Sequence, residues 1–287
     1  MLTEMIDYLR PCSRGVYLDG TLGAGGYAER ILRASEPDGK VVGLDLDAEA
    51  VVRAKERLEE FEIRFNAVHA GFHEAKTILK ELGISAVDGA VLDLGISSDQ
   101  LEDSKRGFSF RAGGALDMRF DDTAGQSLIE YLWSISIQEL EQILSTYGEE
   151  RYFRRLAKAI FESRDRGKLK TAEDLAEVVG RSIGARRGKI HPATRTFQAL
   201  RIAVNRELDN LKIALEEIPL LLKTGGRFCV VSYHSLEDRA VKLSFRERKK
   251  QRDKWLIVTP KPVRPTAAEI RLNPRARSAR MRVLEAL

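Results

Sequence analysis

Asp19, Asp45 and Asp93 each close a short apolar run: Val16-Tyr17-Leu18-Asp19, Lys40-Val41-Val42-Gly43-Leu44-Asp45 and Gly89-Ala90-Val91-Leu92-Asp93. A carboxylate at the end of a buried parallel strand sits at the edge where open α/β sheets bind their ligands, so these acids are expected to line one cleft. After Asp19 comes Gly20-Thr21-Leu22-Gly23-Ala24-Gly25-Gly26, whose glycines permit a tight turn and close backbone approach to a nucleotide. Asp45 is placed to accept hydrogen bonds from ribose hydroxyls, and an acid at that position has few structural uses. By letter, Gly23 to Ala28 also satisfies G-x-G-x-x-A, the fingerprint of nicotinamide dinucleotide sites. Asp19 separates the two chemistries. It would repel a pyrophosphate, whereas it attracts the ammonium group of S-adenosyl-L-methionine, directly or through water. Phe72, just past a third strand, offers either an aromatic face for adenine or an ordinary core cap. His69 and His73 read as surface or loop histidines.

The elements that must position these residues alternate in type. Strand-like runs at 16–19, 40–45, 65–69 and 89–94 are separated by charged, Ala- and Leu-bearing helical segments such as 48–60 and 74–82. That rhythm predicts an α/β fold, a Rossmann-like parallel sheet covered by helices on both faces. From Ser104 the rhythm changes to helical patterns at 127–146, 151–164 and 171–183, with no convincing strand between them. An inserted all-helical domain is therefore expected, giving core residues 1–103, inserted helices 104–203 and core again from 204 to 287. Strand character returns at 227–233, after a helix over 205–222 and a turn at Thr224-Gly225-Gly226. The segments 255–259 and 279–284 supply two last strands, and Pro260, Pro262, Pro265 and Pro274 mark an extended connection between them.

Bulk properties exclude more than they identify. With 287 residues and 43% hydrophobic content the chain can bury a substantial core. A net charge of +5 suits a phosphate-bearing partner without demanding one. Cys12 and Cys229 are far apart and lack histidines at metal-ligand spacing, so neither a disulfide framework nor a metal site is expected. No apolar run approaches the roughly 18 residues of a membrane span, and a cytoplasmic location is expected.

Longer motifs run in order along essentially the whole chain. They are Asp93-Leu94-Gly95-Ile96-Ser97-Ser98-Asp99-Gln100-Leu101, Arg106-Gly107-Phe108-Ser109-Phe110, Leu116-Asp117-Met118-Arg119, Tyr147-Gly148-Glu149-Glu150, His191 to Gln198, Ser232 to Arg239 and Asn273-Pro274-Arg275-Ala276-Arg277-Ser278. In these the chain resembles the bacterial 16S rRNA cytosine-N4 methyltransferases of the MraW family. The resemblance implies a class I S-adenosylmethionine-dependent methyltransferase core with a helical substrate domain inserted after the fourth strand. It implies methylation of the exocyclic N4 of a cytidine in the decoding region of small-subunit rRNA. Cofactor contacts carry over onto Gly25, Gly26, Tyr27, Asp45, Phe72, Asp93 and Gln100. Tyr27 stands where the family usually has His, and the family's His-x-Pro-Val start is not present.

The cytosine amine is delocalised into its ring, so a catalyst must hold it in line with the donor methyl and accept a proton. Asp93, Ser97 and Ser98 are expected to hold the amine. Asp117 and His234 are candidate proton acceptors, and His234 reads equally well as a structural histidine. The target base must leave its stack, and cations must hold the backbone around it. Arg186, Arg187, Lys189 and Arg195, together with Lys249 and Lys250 in the basic run 246–254, are the expected phosphate contacts, although a basic run is often just a solvated helix face. Arg106 and Arg119 have no role beyond their motifs. Rival readings are a nicotinamide-dependent oxidoreductase and a non-catalytic RNA-binding ribosome-assembly factor.

Overall fold

Alternation of side chains builds the sheet and its two covering layers. The computed structural model describes residues 1–110, 114–183, 191–251 and 253–287. Among the described residues, seven strands form one sheet: β1 (Val16–Asp19), β2 (Lys40–Asp45), β3 (Phe65–His69), β4 (Val87–Asp93), β5 (Leu222–Ser232), β6 (Trp255–Ile257) and β7 (Arg280–Ala286). Their order is β3-β2-β1-β4-β5-β7-β6. The first five are parallel, and β7 runs antiparallel between β5 and β6. Chain direction across the sheet reverses between β1 and β4. The crevice beyond their carboxyl ends is therefore the place where a ligand is expected.

Successive residues of each strand go to opposite faces. Tyr17, Val41, Val91, Cys229 and Val231 join one buried cluster with Met5, Leu9, Ile31, Leu32 and Ala54 from helices Leu2–Leu9, Gly26–Ala34 and Ala48–Arg57. Leu18, Val42, Ala90, Leu92, Phe228 and Val230 join another with Leu79, Leu211, Leu215, Val241 and Phe245 from helices Ala75–Glu81, Glu207–Glu217 and Ser235–Lys249. Each fully buried Leu, Val or Phe among them contributes roughly 1.5–3 kcal/mol by leaving water. This is the Rossmann-like methyltransferase architecture, and β1, β2 and β3 have the expected bounds. β5 differs: it starts at Leu222, not Arg227. Val87 pairs with Leu222 and Gly89 with Arg227, so Lys223 to Gly226 bulge out of the ladder, with Gly225 at φ +81°. The expected turn is thus absorbed into the strand as an irregularity that glycine permits.

The chain divides into two compact units, residues 1–95 with 208–287 and residues 96–207. The helical unit begins at Ile96, before the expected boundary at Ser104, because Ile96 and Leu101 pack on its core; it extends past 203 because Val204 does too. Its main helices are Leu128–Ser134, Ile137–Thr146, Phe153–Asp165, Ala172–Ile183 and Thr194–Asn205. The single helix expected over 127–146 is two. Ser127 with Glu130 and Ser136 with Glu139 each form a capping box, and Ile135 between them is extended. A serine cap restarts a helix by satisfying its first amide groups. No helix among the described residues is long and apolar enough to cross a membrane.

Candidate active site

The glycine loop after β1 is tied to the ends of both neighbouring strands. Gly20 N–H donates to Val91 O at 2.9 Å and Leu22 N–H to Leu44 O at 2.9 Å. Asp93 N–H donates to Thr21 Oγ1 at 2.6 Å. Asp45 Oδ2 accepts from Gly23 N–H at 2.7 Å, and its Oδ1 accepts from Asp47 N–H at 2.9 Å. Asp45 therefore has a structural use to which sequence reasoning gave little weight, since it fixes the loop. Each carboxylate oxygen keeps a second lone pair for a ribose hydroxyl. A Cβ on Gly20 would lie 2.5 Å from Leu92 Cδ2 and 3.0 Å from Phe72 Cβ, so any larger residue would have to displace the Leu92 side chain for the loop to lie this close to β4. Gly25, at φ +79°, is the N-cap of helix Gly26–Ala34.

The acids at the switch point are electrostatically unsatisfied. Asp19 is fully buried; its Oδ1 accepts from Thr21 N–H at 3.3 Å, and its Oδ2 is buried with no hydrogen-bond partner. Burial, opposed by the Thr21 N–H and reinforced by the charges of Asp45 and Asp93, pushes its carboxyl up to about 7. Asp93 is pushed up to about 6 by burial, against hydrogen bonds from the Tyr233 and Tyr27 side chains that lower it. Its Oδ1 is likewise buried without a partner. Burial also raises Asp45, although the N–H groups of Asp47 and Gly23 oppose it. Buried carboxylate oxygens without donors are costly, and a cationic ligand is the group that relieves them. The acceptor oxygens of Asp19 and Asp93 thus suit the ammonium and sulfonium charges of S-adenosyl-L-methionine, and they disfavour a pyrophosphate.

Tyr233 is a site residue that sequence reasoning missed. Asp93 pairs with Val231 across β4 and β5, so the residue emerging just after β5 comes out beside the acid. That register was available once both strands were recognised. Tyr27, at the start of its helix, reaches the same carboxyl. Burial, and then the Asp93 charge, raise both phenols, so both stay protonated and act as donors.

Several expected residues have other occupations. His234 is the N-cap of helix Ser235–Lys249: its Nδ1 accepts from Glu237 N–H at 3.4 Å, and its Nε2 lies 3.0 Å from Glu237 Oε1. The cap occupies Nδ1 alone; Nε2 is buried and makes no hydrogen bond, so the structural and the proton-accepting readings of His234 both stand. Asp117 is bound through both oxygens by Arg119, each at 2.8 Å. Burial raises its carboxyl, but the Arg119 hydrogen bonds outweigh this and hold it below the ordinary range, which makes it a poor proton acceptor. Arg119 thereby gains a role, and so does buried Arg106, which donates to Phe120 O at 2.9 Å and pairs with Asp122 at 3.1 Å.

In the helical unit, Ser97 and Gln100 form the capping box of helix Ser98–Glu102, each side chain accepting the other's N–H at 3.1 Å, while Ser98 is exposed. Phe72, half-buried, begins the turn just past β3. Arg195 is exposed, and its guanidinium donates to Glu149 O at 3.2 Å. Arg186, Arg187 and Lys189 lie outside the described residues. Lys249 and Lys250 are exposed, and Lys250 pairs with Glu247 at 2.5 Å.

Comparison with known proteins agrees with this geometry. A family model described as the MraW methylase family matches residues 1–287. The ribosomal RNA small subunit methyltransferase H of Citrifermentans bemidjiense is 45% identical over 298 residues, covering 98% of this chain and 96% of that protein. The protein of the same name from Sorangium cellulosum is 46% identical over 280 residues, covering 97% of this chain and 87% of its own. A crystal structure from Clostridium thermocellum, assigned as an rRNA methylase, superposes with a TM-score of 0.50 at 11% identity, covering 100% of this chain and 95% of that one; it speaks for the fold alone.

Proposed function

The chain belongs to the MraW methylase family, and from that premise we propose that it methylates the exocyclic N4 of a cytidine in the decoding region of small-subunit rRNA, using S-adenosyl-L-methionine. The observation that carries the reading is the pair of buried, partnerless carboxylate oxygens on Asp19 and Asp93 at the topological switch point. Asp19 and the amides of the glycine loop hold the cofactor's amino acid end, Asp45 its ribose, and Phe72 packs on adenine. Bound there, the cofactor supplies a sulfonium methyl group for transfer to nitrogen.

Asp93 then has two tasks that suit a carboxyl near 6. Ionised at neutral pH, it accepts a hydrogen bond from the N4 amine and so orients the nitrogen lone pair. As the amine becomes cationic, the same oxygen is the nearest base of matched strength for its proton. Tyr27 and Tyr233 hold the carboxylate and keep it from titrating higher.

Transfer of label from methyl-labelled S-adenosyl-L-methionine to small ribosomal subunits lacking this modification, followed by nucleoside analysis, tests the proposal. Label in N4-methylcytidine, with or without a 2′-O-methyl group, supports it. Label confined to another nucleoside would overturn the N4-cytidine target, and no label despite bound cofactor would overturn the reaction and favour the non-catalytic assembly factor.

A further inference from the structure

The motif Asn273-Pro274-Arg275-Ala276-Arg277-Ser278 has no part in the site described above. It belongs to the connection from β6 to β7, and strand register fixes where that connection runs. Ser232, last in β5, pairs with Arg280, first in β7, and Val263 bridges to Met281. Because β5 is parallel to β1 and β4, β7 begins at the sheet edge that carries Asp19 and Asp93. Residues 260–278 therefore leave and rejoin the sheet at the same edge on which the cleft opens.

The segment carries Lys261, Arg264, Arg271, Arg275 and Arg277, all exposed, against the single carboxylate of Glu269. Its backbone is ordered by local bonds. Thr266 Oγ1 accepts from Glu269 N–H at 3.2 Å, Asn273 Oδ1 accepts from Arg275 N–H at 3.1 Å, and Ala276 is buried between the two exposed arginines. Leu272, between Arg271 and Asn273, is 89% exposed. An apolar side chain set among cations suits a partner that offers both phosphates and the faces of sugars and bases. Lys249 and Lys250 are placed differently. Their helix leaves the cleft edge at Ser235 and ends near Trp255, which pairs with Ala286 at the opposite edge of the sheet.

We propose that residues 260–278 form an RNA-contacting arm at the rim of the methyl-transfer cleft, with these five cations on rRNA phosphates. The inference rests on the rRNA reading above. Each phosphate contact releases condensed counterions, so several contacts leave a measurable dependence of affinity on salt.

The test compares wild type with Arg271→Ala/Arg275→Ala/Arg277→Ala and with Arg271→Lys/Arg275→Lys/Arg277→Lys, which keeps the charge. Three quantities are measured: affinity for small-subunit rRNA across a salt series, affinity for S-adenosyl-L-methionine, and single-turnover label transfer. The alanine variant is expected to bind RNA at least about tenfold more weakly, with the slope of log affinity against log salt reduced by about two. Cofactor affinity stays at the wild-type value, and the lysine variant retains most RNA binding. An alanine variant with wild-type RNA affinity and slope, beside a wild type that methylates, overturns the arm alone. Equal losses of cofactor and RNA affinity overturn it too, because the segment would then be shaping the cleft. A wild type that binds cofactor but neither binds nor methylates the rRNA overturns the underlying reading and the arm with it.

Discussion

A carboxyl buried beside two others, with one oxygen left without a donor, holds its proton more tightly in the folded protein than in the unfolded chain. For Asp19 the folded value is about 7 against an ordinary 3.8. The sign follows from linkage: its contribution to stability is fully present below about pH 4 and is lost as pH rises through 7. At pH 8 the protein without cofactor thus carries a destabilising buried charge, which Asp19→Asn removes. Thermal melts should show the variant gaining more over wild type at pH 8 than at pH 5, while S-adenosyl-L-methionine no longer raises its Tm; a gain that does not change with pH contradicts the assignment. Asp93 gives a second prediction. Tyr27 donates to it and lowers its value, so Tyr27→Phe should move the acid limb of the transfer rate to higher pH, and Tyr27→His, which keeps a donor, should move it less. Single-turnover rates across pH decide this, and identical limbs in all three proteins would remove Tyr27 from the account.

At the scale of elements, the loop and the strands that carry the site tolerate little change. Gly20→Ala puts a methyl 2.5 Å from Leu92 Cδ2, and the overpacking should cost about 1–3 kcal/mol in denaturant unfolding. The start of β7 is held by Asp238, whose oxygens accept from Arg282 at 2.7 Å and from Arg280 at 2.9 Å. Asp238→Ala leaves the buried Arg282 guanidinium without its partner, so a loss of about 3–5 kcal/mol is expected. Wild-type stability in that variant would show the pair to be dispensable. β1, β2 and β3 were legible from sequence because each is a compact apolar run ended by a polar residue and followed by a turn or helix start. The early start of β5 was not, because Gly225 and Gly226 read locally as a turn and only pairing with β4 draws Leu222 into the ladder. The break at Ile135 was written in the sequence as a second Ser-x-x-Glu cap, which the continuous apolar period of 127–146 masked.

Taken as a whole, the molecule sets buried acids at a sheet switch point inside a chain of net charge +5, with exposed cations on the segment that joins β6 to β7. The acids were readable because strand ends share one edge of a parallel sheet. The occupations of His234 and Asp117 were not, since a helix cap and an arginine clamp depend on side-chain directions that spacing does not reveal. The arm at 260–278 was hidden for a related reason: only the antiparallel return of β7 brings it to the cleft edge. The central claim is that the acidic switch point binds a cation-bearing cofactor, and calorimetric titration in buffers of differing ionisation enthalpy tests it most directly. At about pH 6.5 the cofactor's α-amino group is still protonated while Asp19 is largely neutral, so binding of S-adenosyl-L-methionine should release a large fraction of a proton. Affinity should fall as pH drops below about 7, and NAD should not compete. Binding of NAD in its place, or tight binding of S-adenosyl-L-methionine with no proton released at that pH, would contradict the account.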